Sequence, residues 1–271
     1  MRLKVKDFSL DKNLTAGQTF CWTHSNDAWF SFIDRPIKVK QIGDVLEYYG
    51  CSEIELRTRL GLNDDINSIK TELDKDDLID RAINYSNGLR ITKDGLWPAT
   101  LSFILSIQSN ILLIQRRILT LSKAYGNNII FMGEELYSFP RYEEIVGKGI
   151  GFLNGMKLGF RTRFVMSAAE YFYNHELSER FNQEDIKKQL LSIVGIGDKV
   201  LDCILLYGLH DLSAFPMDVW MLRILAKYYD KILNKAKSYK DKRDTMVNYF
   251  GNYAGYAQLF LYNYARLNGL E

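Results

Sequence analysis

Lys199, Cys203 and Asp218 are the side chains whose types and spacing could do covalent chemistry in this chain. Lys199 follows the turn Gly195-Ile196-Gly197 in "LLSIVGIGDKVLDCILLYG" and opens an apolar helical run. A helix macrodipole disfavours a cation in its first turn. The lysine is therefore badly placed for stability and well placed as a nucleophile. A solvated surface lysine is the competing reading. Cys203 stands four positions on, over the same helix face, where a buried cysteine is more often plain packing. Asp218, in "AFPMDVWMLRIL", follows Pro216 and occupies the N-cap position of the next apolar run. Capping alone would explain it. A carboxylate facing a lysine across a cleft would also stabilise positive charge developing in a transition state.

The Gly-Ile-Gly turn decides between phosphate-binding designs. A dinucleotide fingerprint needs a preceding strand and a third glycine, and a P-loop needs Gly-Lys-Ser/Thr after four spacers. Neither fits. Ile186, Leu190, Ile193 and Val194 keep helical spacing before the turn, with Asn182 as N-cap and Asp185 at N3. What remains is a helix–hairpin–helix at about 194–199. Gly195 and Gly197 turn the backbone tightly and bare its N–H groups at the positive end of the second helix, with Ile196 plugging the two helices together. Such a turn suits one DNA phosphate without reading sequence. An ordinary αα-corner with packing glycines is the alternative.

The elements that must position these residues fall into two parts. Short alternating runs with turn residues fill the start ("LKVKDFSL", "QTFCWTH", "AWFSFIDRPIKVKQIGDVLEYYG"), with Gly43-Asp44 as a hairpin signal. Helical spacing follows in "IELRTRLGL" and "INSIKTELDKDDLIDRAINYS". From Pro98 almost everything reads as helix, including one long run from Ala99 closed by Gly126 as a C′ residue. The expected class is α+β. A small N-terminal antiparallel sheet with a few helices, residues 1–90, would pack on a larger all-α domain, residues 91–271.

Composition narrows the function. A formal charge of +2 over 271 residues makes any nucleic-acid surface a matter of local clustering. Lys157, Arg161 and Arg163 form one such cluster and Arg116 with Arg117 another, while the acidic segment Asp64 to Asp80 should face away from DNA. Three scattered cysteines, Cys21, Cys51 and Cys203, argue against a disulfide framework and exclude an all-cysteine zinc or iron–sulfur site. The charged start carries no secretory core and no stretch reaches a membrane span, so a cytoplasmic, reducing location is expected.

"GIGDKVLDCILL" followed by "AFPMDVWMLRIL" resembles the helix–hairpin–helix DNA glycosylases with a lysine and a Gly/Pro…Asp motif, and within them the 8-oxoguanine DNA glycosylases. "AGQTFCW" (16–22), "FILSIQSNI" (103–111), "LGFRTRFV" (158–165) and "YAGYAQLFLYNYARL" (253–267) extend the resemblance, in order, over nearly the whole chain. It implies excision of 8-oxoguanine from duplex DNA by base flipping, followed by strand nicking through β-elimination. Lys199 would attack C1′ and form the Schiff base, and Asp218 would stabilise the oxocarbenium-like charge. Gly17 would accept from the lesion's N7–H, and Gln258 would pair with its Watson–Crick edge. Tyr262, where a phenylalanine is usual, and Cys203 would sandwich the base, Cys203 as a thiolate paired with the Lys199 ammonium.

Departures collect on the side that reads the opposite strand. Gln108 stands for an asparagine, Leu113 for an arginine, Phe160 for a tyrosine wedge and Trp220 for a phosphate-binding histidine; Val194 replaces the hairpin proline and Arg161 is kept. Leucine offers no donor to cytosine, so a weak preference for the opposite cytosine is expected. The resemblance implies a monomer acting on DNA that contains oxidised guanine, with no membrane and no cofactor, although the hairpin carbonyls could hold a monovalent cation. A silent helix–hairpin–helix damage-binding module and a glycosylase for another modified base stay open as alternatives.

Overall fold

The computed structural model of the chain describes residues 1–177 and 181–268. Residues 178–180 and 269–271, all in the expected helical domain, lie outside the described residues. The N-terminal sheet is built from β1 (Arg2–Lys4), β2 (Trp22–Ser25), β3 (Ala28–Phe32), β4 (Pro36–Ile42) and β5 (Val45–Tyr49), with α1 (Leu10–Thr15) between the first two strands. It is antiparallel throughout, in the order β1-β5-β4-β3-β2. Alternation sets its inner face: Ile37 and Val39 of β4, and Leu46 and Tyr48 of β5, point into the core. Gly43-Asp44 makes the two-residue turn between these strands, with Ile42 opposite Val45. The observed class is α+β.

Three helices follow: α2 (Glu53–Arg59), α3 (Ile66–Leu73) and α4 (Asp77–Tyr85). Ser52, Asp65 and Asp76 cap them by accepting backbone N–H groups. The helical part contains α5 (Leu96–Leu105), α6 (Ile111–Tyr125), β6 (Asn128–Phe131), β7 (Glu134–Tyr137), α7 (Tyr142–Asn154), α8 (Arg161–Asn174), α9 (Gln183–Ser192), α10 (Asp198–Ile204), α11 (Val219–Tyr228), α12 (Tyr239–Phe250) and α13 (Ala254–Asn268). A π-helical turn, Leu205–Leu209, prolongs α10. Among the described residues no helix is long and apolar enough to cross a membrane.

Three sequence expectations are corrected here. The chain from Pro98 is not all helix. β6 and β7 form a hairpin whose Ile129, Phe131 and Leu136 pack on Ala28, Phe30 and Phe32, because β3 has a second apolar face to cover. The long run from Ala99 is two helices. Asn110 caps α6 by accepting from the Leu113 N–H at 3.0 Å, and Gln108 has a φ of 48°, so the chain turns between them. Gly126 does end α6, but not in the left-handed conformation of a C′ glycine: its φ is −84°. It is needed for space, since a Cβ there would drive into the Ser138 and Ser122 carbonyls.

One apolar core runs through both parts of the chain. Polar tethers fix α13 against the N-terminal region. Asn263 Nδ2 donates to Ser86 Oγ at 3.1 Å, and the Tyr256 hydroxyl and the His210 ring both engage the Asp64 carboxylate. Asp76 accepts from the Tyr229 and Tyr249 hydroxyls. Within the acidic segment, these two carboxylates are spent holding helices together.

Candidate active site

A cavity of about 1000 Å³ opens between the N-terminal loop 16–20, the turn 106–110, the hairpin and α10, the start of α11, and α13. Lys199, Asp218, Cys203, Gly17, Gln258 and Tyr262 line it together. Gly195, Gly197, Gln108 and Trp220 line it too, whereas Leu113, Phe160 and Arg161 do not. Residues separated by up to 245 positions thus share one space, brought there by the N-terminal loop, α10, the start of α11 and α13.

The hairpin places the lysine. α9 ends at Ser192, Ile196 plugs the turn at 6% exposure, and Gly197 is the N-cap of α10. Gly195 has a φ of 99°, and a Cβ on it would enter the Phe164 ring of α8, so glycine is required by conformation and by space. Gly197 differs. Its φ is −103° and open space surrounds the position of a Cβ, so the fold itself does not demand glycine there. A bare backbone N–H at a helix N-terminus is what an approaching phosphate needs.

Lys199 lies in the first turn of α10. Its Nζ donates to Ser106 Oγ at 3.1 Å and sits 5.6 Å from the centre of the Phe103 ring. Phe103 in turn stacks on Tyr207 at 5.4 Å. Cys203, one turn along α10, is 4% exposed, and that burial pushes its thiol up to about 11 although Lys199 pulls it down. Burial thus works against the thiolate of the expected thiolate–ammonium pair, while the neighbouring Lys199 works for it.

Asp218 caps α11, its Oδ1 accepting from the Met221 N–H at 2.8 Å. Burial raises the Tyr207 and Tyr262 phenols as it does the Cys203 thiol, and the Asp218 carboxylate adds a smaller push to each. Gly17 has a φ of 84°. The buried Gln18 beside it bolts the loop down: its Nε2 donates to Arg90 O at 2.8 Å, and its Oε1 accepts from Thr92 N at 3.1 Å. Thr19 adds a hydrogen bond to the buried Asp94 at 3.0 Å. On α13, Gln258, Tyr262 and Arg266 follow at one-turn intervals along the cavity wall. Gln258 is 5% exposed, and its Oε1 receives the Tyr207 hydroxyl at 3.4 Å.

Several exposed side chains are apolar: Leu112, Val219 and Trp220 of the cavity wall, and Leu113, Phe160 and Val194 outside it. Arg161 does not join them. It is buried, and its guanidinium donates to the carbonyls of Ile107, Gln108 and Leu158, stapling α8 to the turn that carries Gln108. Counted in the sequence as part of a basic cluster for DNA, Arg161 instead directs its guanidinium hydrogen bonds to protein carbonyls. Lys157 and Arg163 are exposed nearby. Among the described residues no three His, Cys, Asp or Glu side chains could hold a metal together.

Sequence reasoning missed Phe103, Ser106, Tyr207, Tyr239 and Arg266, which also line the cavity. Phe103 and Ser106 lie inside "FILSIQSNI" and Tyr207 ends the apolar run of α10, so only their facing was hidden. Arg266 likewise lies inside "YAGYAQLFLYNYARL", one turn beyond Tyr262, while Tyr239 carried no signal of type or spacing.

The N-terminal residues 1–99 match the family model described as 8-oxoguanine DNA glycosylase, N-terminal domain. Over the whole chain there is 27% identity with the probable N-glycosylase/DNA lyase of Methanothermobacter thermautotrophicus, covering 97% of that protein. Two solved structures superpose closely. MBOgg1, in complex with a low-affinity DNA ligand, is 29% identical with a TM-score of 0.90, covering 99% of this chain and 96% of that one. The Clostridium acetobutylicum 8-oxoguanine glycosylase/lyase is 27% identical with a TM-score of 0.88, covering 100% and 99%. It was solved with double-stranded DNA containing cytosine opposite 8-oxoguanine.

Proposed function

The chain belongs to the 8-oxoguanine DNA glycosylases, and from that premise we propose how its residues share the work of a bifunctional DNA N-glycosylase and lyase. The observation that carries the reading is the convergence of Lys199 and Asp218 on one cavity walled by Gly17, Cys203, Gln258 and Tyr262.

The lesion must leave the duplex stack to reach that cavity, at a cost of a few kcal/mol. Tyr262 and the Cys203 thiol present the two faces between which a planar base slides. The Gly17 carbonyl accepts from the N7–H of 8-oxoguanine, whereas unmodified guanine would oppose it lone pair to lone pair. An unpaired buried polar contact costs about 1–3 kcal/mol, which discriminates before chemistry begins. Gln258, its amide steadied by Tyr207, pairs with the Watson–Crick edge.

The Lys199 amine leaves Ser106 and attacks C1′. The N-glycosidic bond breaks, and its electron pair departs with the base. Asp218 faces the positive charge that develops on the sugar ring. Ring opening gives a Schiff base on Lys199, and loss of a C2′ proton expels the 3′ phosphate oxygen by β-elimination. Gly195, Gly197 and the dipole of α10 bind a backbone phosphate. Trp220, Phe160 and Leu113 contribute apolar contacts, and Gln108 faces the orphaned base. With Arg161 consumed internally and leucine at 113, no arginine fork reads cytosine, so preference for the opposite cytosine is weak. The enzyme acts as a monomer on the DNA of the nucleoid.

Borohydride trapping on a duplex with one 8-oxoguanine tests this reading, wild type against Lys199→Gln. A covalent adduct seen with wild type alone supports it. Tight binding by wild type with no adduct would instead favour the damage-binding module.

A further inference from the structure

Tyr239 is the one cavity-lining side chain contributed by α12. It opens that helix behind Ser238, whose side chain accepts from the Asp241 N–H at 3.0 Å while Asp241 accepts from the Ser238 N–H at 3.0 Å. This capping box fixes the helix end and thus the root of the phenol. The hydroxyl then makes two hydrogen bonds to two different elements. It accepts the Met217 N–H at 3.0 Å, and it donates to Asp202 Oδ2 at 2.9 Å.

Both partners adjoin the chemistry. Met217 immediately precedes Asp218, in the loop that sets where α11 begins. Asp202 lies on α10, three residues beyond Lys199 and next to Cys203. Asp202 is 3% exposed, and its other oxygen receives Arg243 Nη1 at 3.4 Å. The acceptor is therefore itself held from α12. Among the described residues no direct hydrogen bond joins the 216–218 loop to α10, so the link between them runs through this hydroxyl.

From this geometry we infer that Tyr239 is a positioning residue for base excision and strand nicking, its hydroxyl bracing the Asp218 loop against the helix that carries Lys199. The inference rests on the proposed reading of Lys199 and Asp218. An amine nucleophile and a carboxylate on separate elements act on one sugar carbon, and a shift of about 1 Å in such an arrangement can cost a hundredfold in rate. The brace sets their separation without touching the substrate.

Tyr239→Phe removes the hydroxyl and keeps the ring. Two duplexes are used under single-turnover conditions, one with 8-oxoguanine and one with a preformed abasic site. On both, the variant is expected to react about tenfold more slowly than wild type, with affinity changed less than about twofold, the pattern of an interaction felt in the transition state. Asp202→Asn keeps an acceptor for the phenol and should hold the rate within about threefold of wild type. Wild-type speed for Tyr239→Phe overturns the brace, as does a loss confined to affinity. So does a rate recovered merely by cooling the variant to the same interval below its melting temperature. An Asp202→Asn defect as deep as that of Tyr239→Phe overturns it too, since charge beside Lys199 would then govern the step. If wild type ignores 8-oxoguanine but nicks the abasic duplex, the base assignment falls and the abasic series still decides the brace.

Discussion

Lys199 Nζ donates to the Ser106 hydroxyl at 3.1 Å, so the nucleophile at the start of α10 is parked on the end of α5. The contact holds the amine at the cavity wall, and attack on a sugar requires the hydrogen bond to break. Ser106→Ala should therefore leave lesion binding unchanged and alter excision by less than about fivefold, since one neutral hydrogen bond contributes only about 1 kcal/mol. Single-turnover excision with a parallel binding titration checks this. A hundredfold loss would mean that Ser106 works in the reaction itself.

Asp218 has two separable duties, capping α11 and facing the sugar. Asp218→Asn keeps an oxygen for the Met221 N–H but removes the charge. Its excision rate should fall by about 10²–10³, the scale of a lost electrostatic stabiliser, with little change in melting temperature. Asp218→Ala should lose the same activity and in addition about 1 kcal/mol of stability from the missing cap. Equal melting temperatures for the two variants would show that the cap does not matter.

The hairpin glycines should separate folding from DNA binding. Gly195→Ala meets both a positive φ and the Phe164 ring, so it should lower the melting temperature. Gly197→Ala meets neither and should melt like wild type, yet bind duplex DNA more weakly because a methyl group shields the phosphate-facing amide. Unchanged affinity for Gly197→Ala at several salt concentrations would remove the hairpin from the interface.

Burial pushes Asp202 up to about 7, against the pull of Arg243 and Tyr239 and with a smaller push from Asp198. Its folded carboxyl keeps a proton that the unfolded chain has already lost above about pH 4. The unfolded state then binds fewer protons, so this group makes stability fall as pH rises from about 4 to about 7 and stay level beyond. The melting temperature of wild type relative to Asp202→Asn should decline over that window. A relative rise there would contradict the buried, proton-retaining carboxyl.

Opposite-base preference provides the last test. Excision from cytosine- and adenine-opposed duplexes should be comparable, and a hundredfold cytosine preference would overturn the reading of Leu113 and Arg161. Leu113→Arg, at an exposed helix position, should raise the preference for cytosine by about tenfold, because one good base contact is worth about 1–3 kcal/mol.

The residue types and local spacings were legible in the chain alone. Asn182 and Asp218 capped the helices expected of them, and Gly43-Asp44 closed its hairpin, because caps and two-residue turns depend on only a few neighbouring residues. The α+β class was legible too, from the change of hydrophobic period along the chain. Other features depended on partners remote in sequence. The break at 106–110 was hidden by continuous apolar periodicity, and it is held by an arginine some fifty positions away. In the sequence the same arginine counts only as part of a basic cluster, whereas in the fold its guanidinium donates to three carbonyls. The upward shift of the Cys203 thiol comes from how deeply the assembled helices bury it, and the partners of Tyr239 from where the 216–218 loop and α10 meet α12. Hydrogen-bond satisfaction and desolvation belong to the packed chain, and only the tertiary structure could decide them.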